Sequence, residues 1–157
     1  MTITTTPPDR IELAAGTTMV VFRRAGDRWE HELRLAGGRV WRSVEGPAHG
    51  ADPRWPASPA IVEVSRVATA GATVLLGVGR AGRSHYSISV AAAEHEPDTL
   101  LFDVACRIQE PAGWLGSTYA DPASGEACRL QAGPSLPPPA TIRWAYTVGP
   151  GGILPRA

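Results

Sequence analysis

The segment 84–90 alternates strictly between polar and apolar residues, and this alternation constrains the fold more than any other feature of the chain. Its apolar residues would lie on one side of an extended chain and its polar residues on the other: Tyr86, Ile88 and Val90 against His85, Ser87 and Ser89. A period of two residues is the period of a β-strand, whereas a helix repeats after three or four residues. The segment therefore predicts a strand with one buried face.

Just before this strand, the glycines are spaced as in a dinucleotide-binding fingerprint. An apolar run at 73–76 is followed by the segment 77–82, Gly-Val-Gly-Arg-Ala-Gly, and Asp103 lies about 20 positions further on. The stretch locally resembles the opening of dehydrogenase domains, which implies NAD binding. In that fold the glycines end a strand and begin a helix, and the N-terminus of this helix holds the pyrophosphate.

The chain that follows the glycines does not fit such a domain. Strand alternation begins directly after Gly82, and the stretch 110–157 contains eight prolines, which leave no room for further strand-helix units. We therefore predict that 79–82 forms a tight hairpin turn in which glycine supplies the positive φ angles. A fragment of an NAD-dependent oxidoreductase that uses the 77–82 fingerprint is the weakest alternative.

Length and composition favour a single domain that binds neither nucleic acid nor membrane. The 157 residues are enough to bury a core, and fifteen basic and fifteen acidic residues cancel, which leaves no basic footprint for nucleic acid. The chain has no lysine and no asparagine, as is typical of GC-rich genomes, so Schiff-base lysines, Walker-type lysines and N-glycosylation are excluded. Neither a signal peptide nor a membrane-spanning segment is recognisable, and we expect a soluble cytoplasmic protein.

Short alternating segments separated by turn residues predict an all-β fold. We expect one antiparallel β-sandwich or closed β-barrel of about eight or nine strands. The candidate strands are 17–24, 28–35, 39–45, 61–67, 73–78, 84–91, 100–109, 127–131 and 141–148, with a further short strand at 115–119. The predicted organisation is a flexible N-terminal segment over 1–10, a single β domain over 11–148 and a flexible C-terminal tail over 149–157.

Histidine and cysteine are too dispersed for a metal or redox site. The four histidines are scattered along the chain, and Cys106 and Cys128 are too far apart for a zinc motif or a disulfide scaffold. Cys106 falls on the apolar side of 100–109, where we expect an inert buried thiol, and His31 falls on the apolar side of 28–35. We predict no metal and no cofactor.

The best candidate binding surface joins the polar sides of two strands. His85 and Ser87 lie on one strand, and Asp103 and Arg107 lie on the next. If the strands pair as a hairpin, facing residues are about 5 Å apart. Arg107 would then bind a carboxylate or phosphate through its planar guanidinium, and His85 would supply a titratable donor. A solvated sheet face with a cross-strand salt bridge is the simpler alternative.

Aromatic residues outside the regular strands add a second candidate surface. The proline-rich loop 46–59 is longer than most loops, and long loops often have a function. Trp55 within this loop, and Trp114 and Tyr119 in a glycine-rich stretch, could expose rings that stack on sugars.

These observations predict a non-catalytic binding domain. It would recognise a small molecule, a glycan or a protein partner through the loop 46–59 and the face of His85, Asp103 and Arg107. The sequence is also compatible with a homo-oligomer. The alternative is an enzyme in which His85 and Asp103 form an acid-base site in a barrel mouth. A buried His85 with a shifted pKa would favour the enzyme, whereas exposure of both residues on a flat sheet would favour the binding domain.

Overall fold

The computed structural model describes residues 8–48, 54–134 and 136–157, which form one antiparallel sheet that curls into a nearly closed barrel. The strands are β1 (Arg10–Ala15), β2 (Thr18–Ala25), β3 (Arg28–Arg34), β4 (Val40–Ser43), β5 (Ile61–Thr69), β6 (Ala72–Ala81), β7 (Ser84–Ala92), β8 (Leu100–Ile108), β9 (Gly116–Ala120), β10 (Ala127–Gln131), β11 (Ala140–Gly149) and β12 (Gly152–Arg156). The one helical element among the described residues is a 3-10 turn at Ala36–Gly38.

Ten strands follow one another in a single order around the barrel, and the hairpin of β1 and β2 branches off this order at β3. The order is β10-β9-β4-β3-β5-β6-β7-β8-β11-β12, with β2 paired to both β1 and β3. The hairpin of β1 and β2 is tied to the loop after β7: the Thr17 backbone N–H donates to Asp98 Oδ1 at 2.8 Å, and Thr18 Oγ1 donates to the Asp98 backbone oxygen at 2.6 Å. This contact joins parts of the sheet that are not neighbours in it.

The predicted fold class is confirmed as all-β and antiparallel, but the predicted number of eight or nine strands is wrong. The structure has twelve strands, and the sequence analysis missed β1 and β12. Both pair with a single neighbour, and every residue of β12 is half-buried or exposed. β12 therefore shows little hydrophobic alternation, whereas β1 does alternate, with Ile11 and Ala15 buried and Arg10, Glu12 and Ala14 exposed, so its pattern could have predicted a strand. β12 lies within 149–157, the predicted flexible tail, and Arg10 of the predicted N-terminal segment begins β1.

Inward-facing side chains from almost all strands form one continuous core. In β3, the predicted apolar side is buried: Trp29 is 4% exposed, His31 7% and Leu33 0%. Cys106 on β8 is also fully buried, as the alternation predicted. In β7 and β8 the residues on the opposite side form the outer surface of the barrel, whereas β2 and β9 bury residues on both sides.

The glycines of the fingerprint lie inside β6 and not at the start of a helix. Of these glycines only Gly82, with φ at +59°, lies in the turn to β7. The predicted turn over 79–82 therefore starts too early, because β6 continues to Ala81. Gly77 and Gly79 are two residues apart and therefore both face inward. A Cβ at Gly79 would collide with the backbone oxygen of Ala60, and one at Gly77 would lie 2.6 Å from Ile88 Cγ2. Close packing accounts for these two glycines.

We expect the substitution Gly79→Ala to destabilise the fold by roughly 1–3 kcal/mol, because the added methyl group must displace the backbone at Ala60. The midpoint of urea unfolding measures this loss.

Gly133→Ala is the matched control, since a Cβ there meets no atom within 4 Å. We expect its free energy of unfolding to change by less than about 0.5 kcal/mol or to rise slightly, because alanine restricts the unfolded chain. Equal midpoints for the two variants would contradict the close approach of Ala60 to β6.

Candidate functional site

β7 and β8 pair as the antiparallel hairpin on which the predicted binding face depends. His85 lies opposite Arg107, Ser87 opposite Ala105, and Ser89 opposite Asp103. The four predicted residues of this face, His85, Ser87, Asp103 and Arg107, are all exposed on the outside of the barrel. The structure thus brings His85, Ser87 and Arg107 together as neighbours.

The same register separates His85 from Asp103. Asp103 is four positions along β8 from Arg107, the residue opposite His85, which corresponds to about 13 Å. A shared proton needs a hydrogen bond of about 3 Å or one bridging water. Both residues also lie on the outer surface and not in a barrel mouth. The structure therefore does not assemble the His85 and Asp103 acid-base pair.

Outward-facing residues form rows across β6, β7, β8 and β11, and the rows differ in character from one end to the other. The row nearest the turn at Gly82 is basic, and the row furthest from it has no charged residue. The rows in order are Arg80, His85, Arg107 and Thr141; Val78, Ser87, Ala105 and Arg143; Leu76, Ser89, Asp103 and Ala145; Val74, Ala91, Leu101 and Thr147. The face is therefore basic at one end and mainly apolar at the other.

Two adjoining hollows, of about 350 and 250 Å³, lie on this face, and we call them together the outer groove. Its floor contains the small residues Ser87 and Ala105, which line both hollows. Larger residues stand on either side: Val78, which is 47% exposed, on β6 and Arg143 on β11. The groove exists because the middle two strands carry short side chains between longer ones on their neighbours.

The arginines beside the groove are not neutralised by acidic residues. Within the described part of the chain, Arg80, Arg107 and Arg143 form no salt bridge, and the Arg107 guanidinium donates only a long hydrogen bond, 3.4 Å, to Thr141 Oγ1. Several arginines elsewhere are paired, as Arg34 is with Glu32 at 2.6 Å, whereas Arg24 and Arg129 form no salt bridge among the described residues either. The cross-strand salt bridge expected for an ordinary solvated face is thus not formed among these residues.

The predicted exposure of the Trp55 ring is wrong, and the candidate binding residue Tyr119 is buried as well. Trp55 is 1% exposed and Tyr119 is fully buried. Trp114 is half-buried, and its Nε1 donates to the Ala57 backbone oxygen at 3.3 Å. The described part of the loop 46–59 folds back on itself, with the Ala57 backbone N–H donating to the Gly46 oxygen, and this closure buries Trp55. Residues 49–53 of the predicted binding loop lie outside the described residues.

A chain of polar groups in the core was not predicted. His31 Nε2 lies 2.7 Å from Tyr119 Oη, which lies 2.6 Å from Tyr146 Oη, and the His31 ring stacks on Phe22. Burial lowers the pKa of His31 to about 3 and raises the pKa of Tyr146 to about 12. His31 is 88 positions from Tyr119 in sequence, and Tyr119 is 27 positions from Tyr146, so no local pattern indicates that they meet. Tyr119 and Tyr146 are fully buried, and His31, which is 7% exposed, lines a hollow of about 240 Å³ together with Glu32 and Ser43.

Three further observations on the described residues concern metal ligands, the Cys106 thiol and helix hydropathy. No group of three or more histidine, cysteine, aspartate or glutamate side chains there could hold a metal ion. Burial raises the pKa of the Cys106 thiol to about 11, which keeps it protonated at neutral pH. In residues 8–48, 54–134 and 136–157 no helix has the length and hydropathy to cross a bilayer.

Comparison with known proteins leaves the site geometry as the basis for function. The chain matches no protein-family model, no curated protein and no solved structure.

The low pKa of His31 predicts that stability falls as the pH is lowered below about 6.5. Between pH 6.5 and about 3 the unfolded chain binds a proton at His31 that the folded protein does not bind, so the free energy of unfolding decreases, by up to about 1.4 kcal/mol per pH unit. Above pH 6.5 neither the folded nor the unfolded state binds this proton, so the full free energy of unfolding is retained there. Urea unfolding between pH 5 and 7 measures the slope.

The variant His31→Gln should have a smaller slope than the wild type, whatever its absolute stability, because glutamine does not titrate. Ser87→Gln is the control: it changes an exposed side chain that carries no titratable group, and we expect the wild-type slope. An unchanged slope in His31→Gln would contradict the burial of an uncharged imidazole in the folded state.

Proposed function

We propose that this protein is a non-catalytic binding domain and that the outer groove holds an elongated ligand. The observation that carries the proposal is the combination of a hollow with a small-residue floor and three arginines without salt bridges beside it. An exposed guanidinium can bind an anion without first breaking an ion pair. The groove follows β7 from His85 to Ser89, about 13 Å, which suits an extended ligand.

The other functions that the sequence left open have less support. Catalysis by His85 and Asp103 requires a contact that their register does not allow. The polar groups with large pKa shifts, such as His31 and Tyr146, are buried in the core and hydrogen-bonded to one another through Tyr119. Glycan recognition by stacking requires exposed rings, and Tyr86 at the edge of the groove is 3% exposed.

Blocking the groove should abolish ligand binding. Ala105 lies in the floor, so Ala105→Trp would fill the hollow from the outer face without entering the core. The probe is a display library of random twelve-residue peptides, selected against the immobilised protein. We expect the wild type to enrich binders with dissociation constants in the micromolar range and Ala105→Trp to lose them by at least tenfold.

Ala68→Trp adds the same bulk at an exposed position of β5 outside the groove, and we expect it to bind like the wild type. Circular dichroism and the urea midpoint establish that both variants are folded. Peptides that bind wild type and Ala105→Trp equally, or a library that yields no binders, would count against the outer groove as a binding site.

A further inference from the structure

We infer that the ligand is an extended acidic segment of a partner protein, with its carboxylates bound by Arg107 and Arg143. The inference rests on the proposed function of the outer groove and specifies the chemistry of its occupant. Three features support it: the charge of the face, the spacing of the two arginines and the apolar residues next to them.

The charge of the basic end requires a negatively charged partner. Arg80, His85 and Arg107 lie side by side across three strands, and Arg143 lies in the next row. The acidic residue of these rows, Asp103, is two rows away from Arg107 and one row away from Arg143, with which it lines the same hollow, but it forms no salt bridge with either among the described residues. A neutral ligand would leave the guanidinium groups without partners, whereas a carboxylate can accept two hydrogen bonds from each of them.

The spacing of the two arginines matches an extended peptide. Arg107 pairs with Thr141, and Arg143 is two residues further along β11, so the two arginines are diagonal neighbours on adjacent strands. Such neighbours lie roughly 7–8 Å apart at their Cα atoms. Side chains two residues apart on an extended chain lie about 6.6 Å apart and point the same way. Two acidic residues separated by one residue would therefore meet both guanidinium groups.

The rest of the groove favours a peptide over nucleic acid or a small anion. Leu76 and Val78 are 40% and 47% exposed beside the small floor residues and can pack against an apolar side chain of the same segment. Single-stranded nucleic acid binds through aromatic side chains that stack on its bases, and Tyr86 at the groove is buried. A small anion would use the arginines but leave this apolar wall unoccupied.

The experiment compares matched peptides and matched arginine pairs on the intact protein. From the library binders, one peptide is synthesised with its acidic residues and once more with glutamine in their place, and affinity is measured by fluorescence anisotropy. We expect the acidic peptide to bind at least tenfold more tightly than the glutamine peptide. Its affinity should fall as the salt concentration rises, because salt screens exposed charges.

The double variant R107Q and R143Q should reduce affinity for the acidic peptide at least tenfold and leave the glutamine peptide unaffected. The control, R24Q with R129Q, removes two exposed arginines that also form no salt bridge in the described residues but lie outside the groove. We expect it to bind both peptides like the wild type. Circular dichroism verifies the fold of each variant.

The outcomes separate this inference from the proposed function. Binders that Ala105→Trp abolishes but that need no acidic residue would overturn the acidic partner and leave the binding groove standing. A twelve-nucleotide single strand of DNA, or vesicles with anionic lipid, that binds through Arg107 and Arg143 more tightly than the acidic peptide would also overturn it. The absence of any groove-dependent binder would overturn both.

Discussion

The pleat of β7 and β8 is the constraint on which the rest of this structure depends. Successive residues of a strand point to opposite faces, so each strand contributes one set of side chains to the core and another to the surface. In β8, Phe102, Val104 and Cys106 are buried while Asp103 and Arg107 are exposed. A shift of the register by one residue would exchange the two sets, and burial of the charged set would be very costly. The core therefore holds the outer groove in place.

The interior and the exterior of the barrel use polar groups in opposite ways. Inside, His31, Tyr119 and Tyr146 satisfy one another, and burial keeps them uncharged. Outside, Arg107 and Arg143 remain charged and form no salt bridge within the described residues. A closed network of satisfied groups stabilises one packing arrangement, whereas unpaired surface charges remain available to a ligand.

Sequence alone predicted the shared polar face of β7 and β8 better than it predicted the exposure of the aromatic residues. His85, Ser87, Asp103 and Arg107 lie on regular strands, and a period of two residues predicts their common face without any knowledge of the fold. Trp55 lies in an irregular loop, where no period exists and proline suggests exposure. It is buried because the loop closes through backbone hydrogen bonds, and only the folded chain shows those.

The alternating segments determined by themselves that this chain is an antiparallel β-protein with a polar face on β7 and β8, because side-chain direction in a strand is a local property of the backbone. Only the tertiary structure decided which residues of that face meet. Register places His85 beside Arg107 and far from Asp103, and the path of residues 60–61 past β6 requires Gly79. It also brought His31 to Tyr119 across 88 positions. Contacts between distant segments depend on how the strands pair, and the pairing is set by the packing of the whole core.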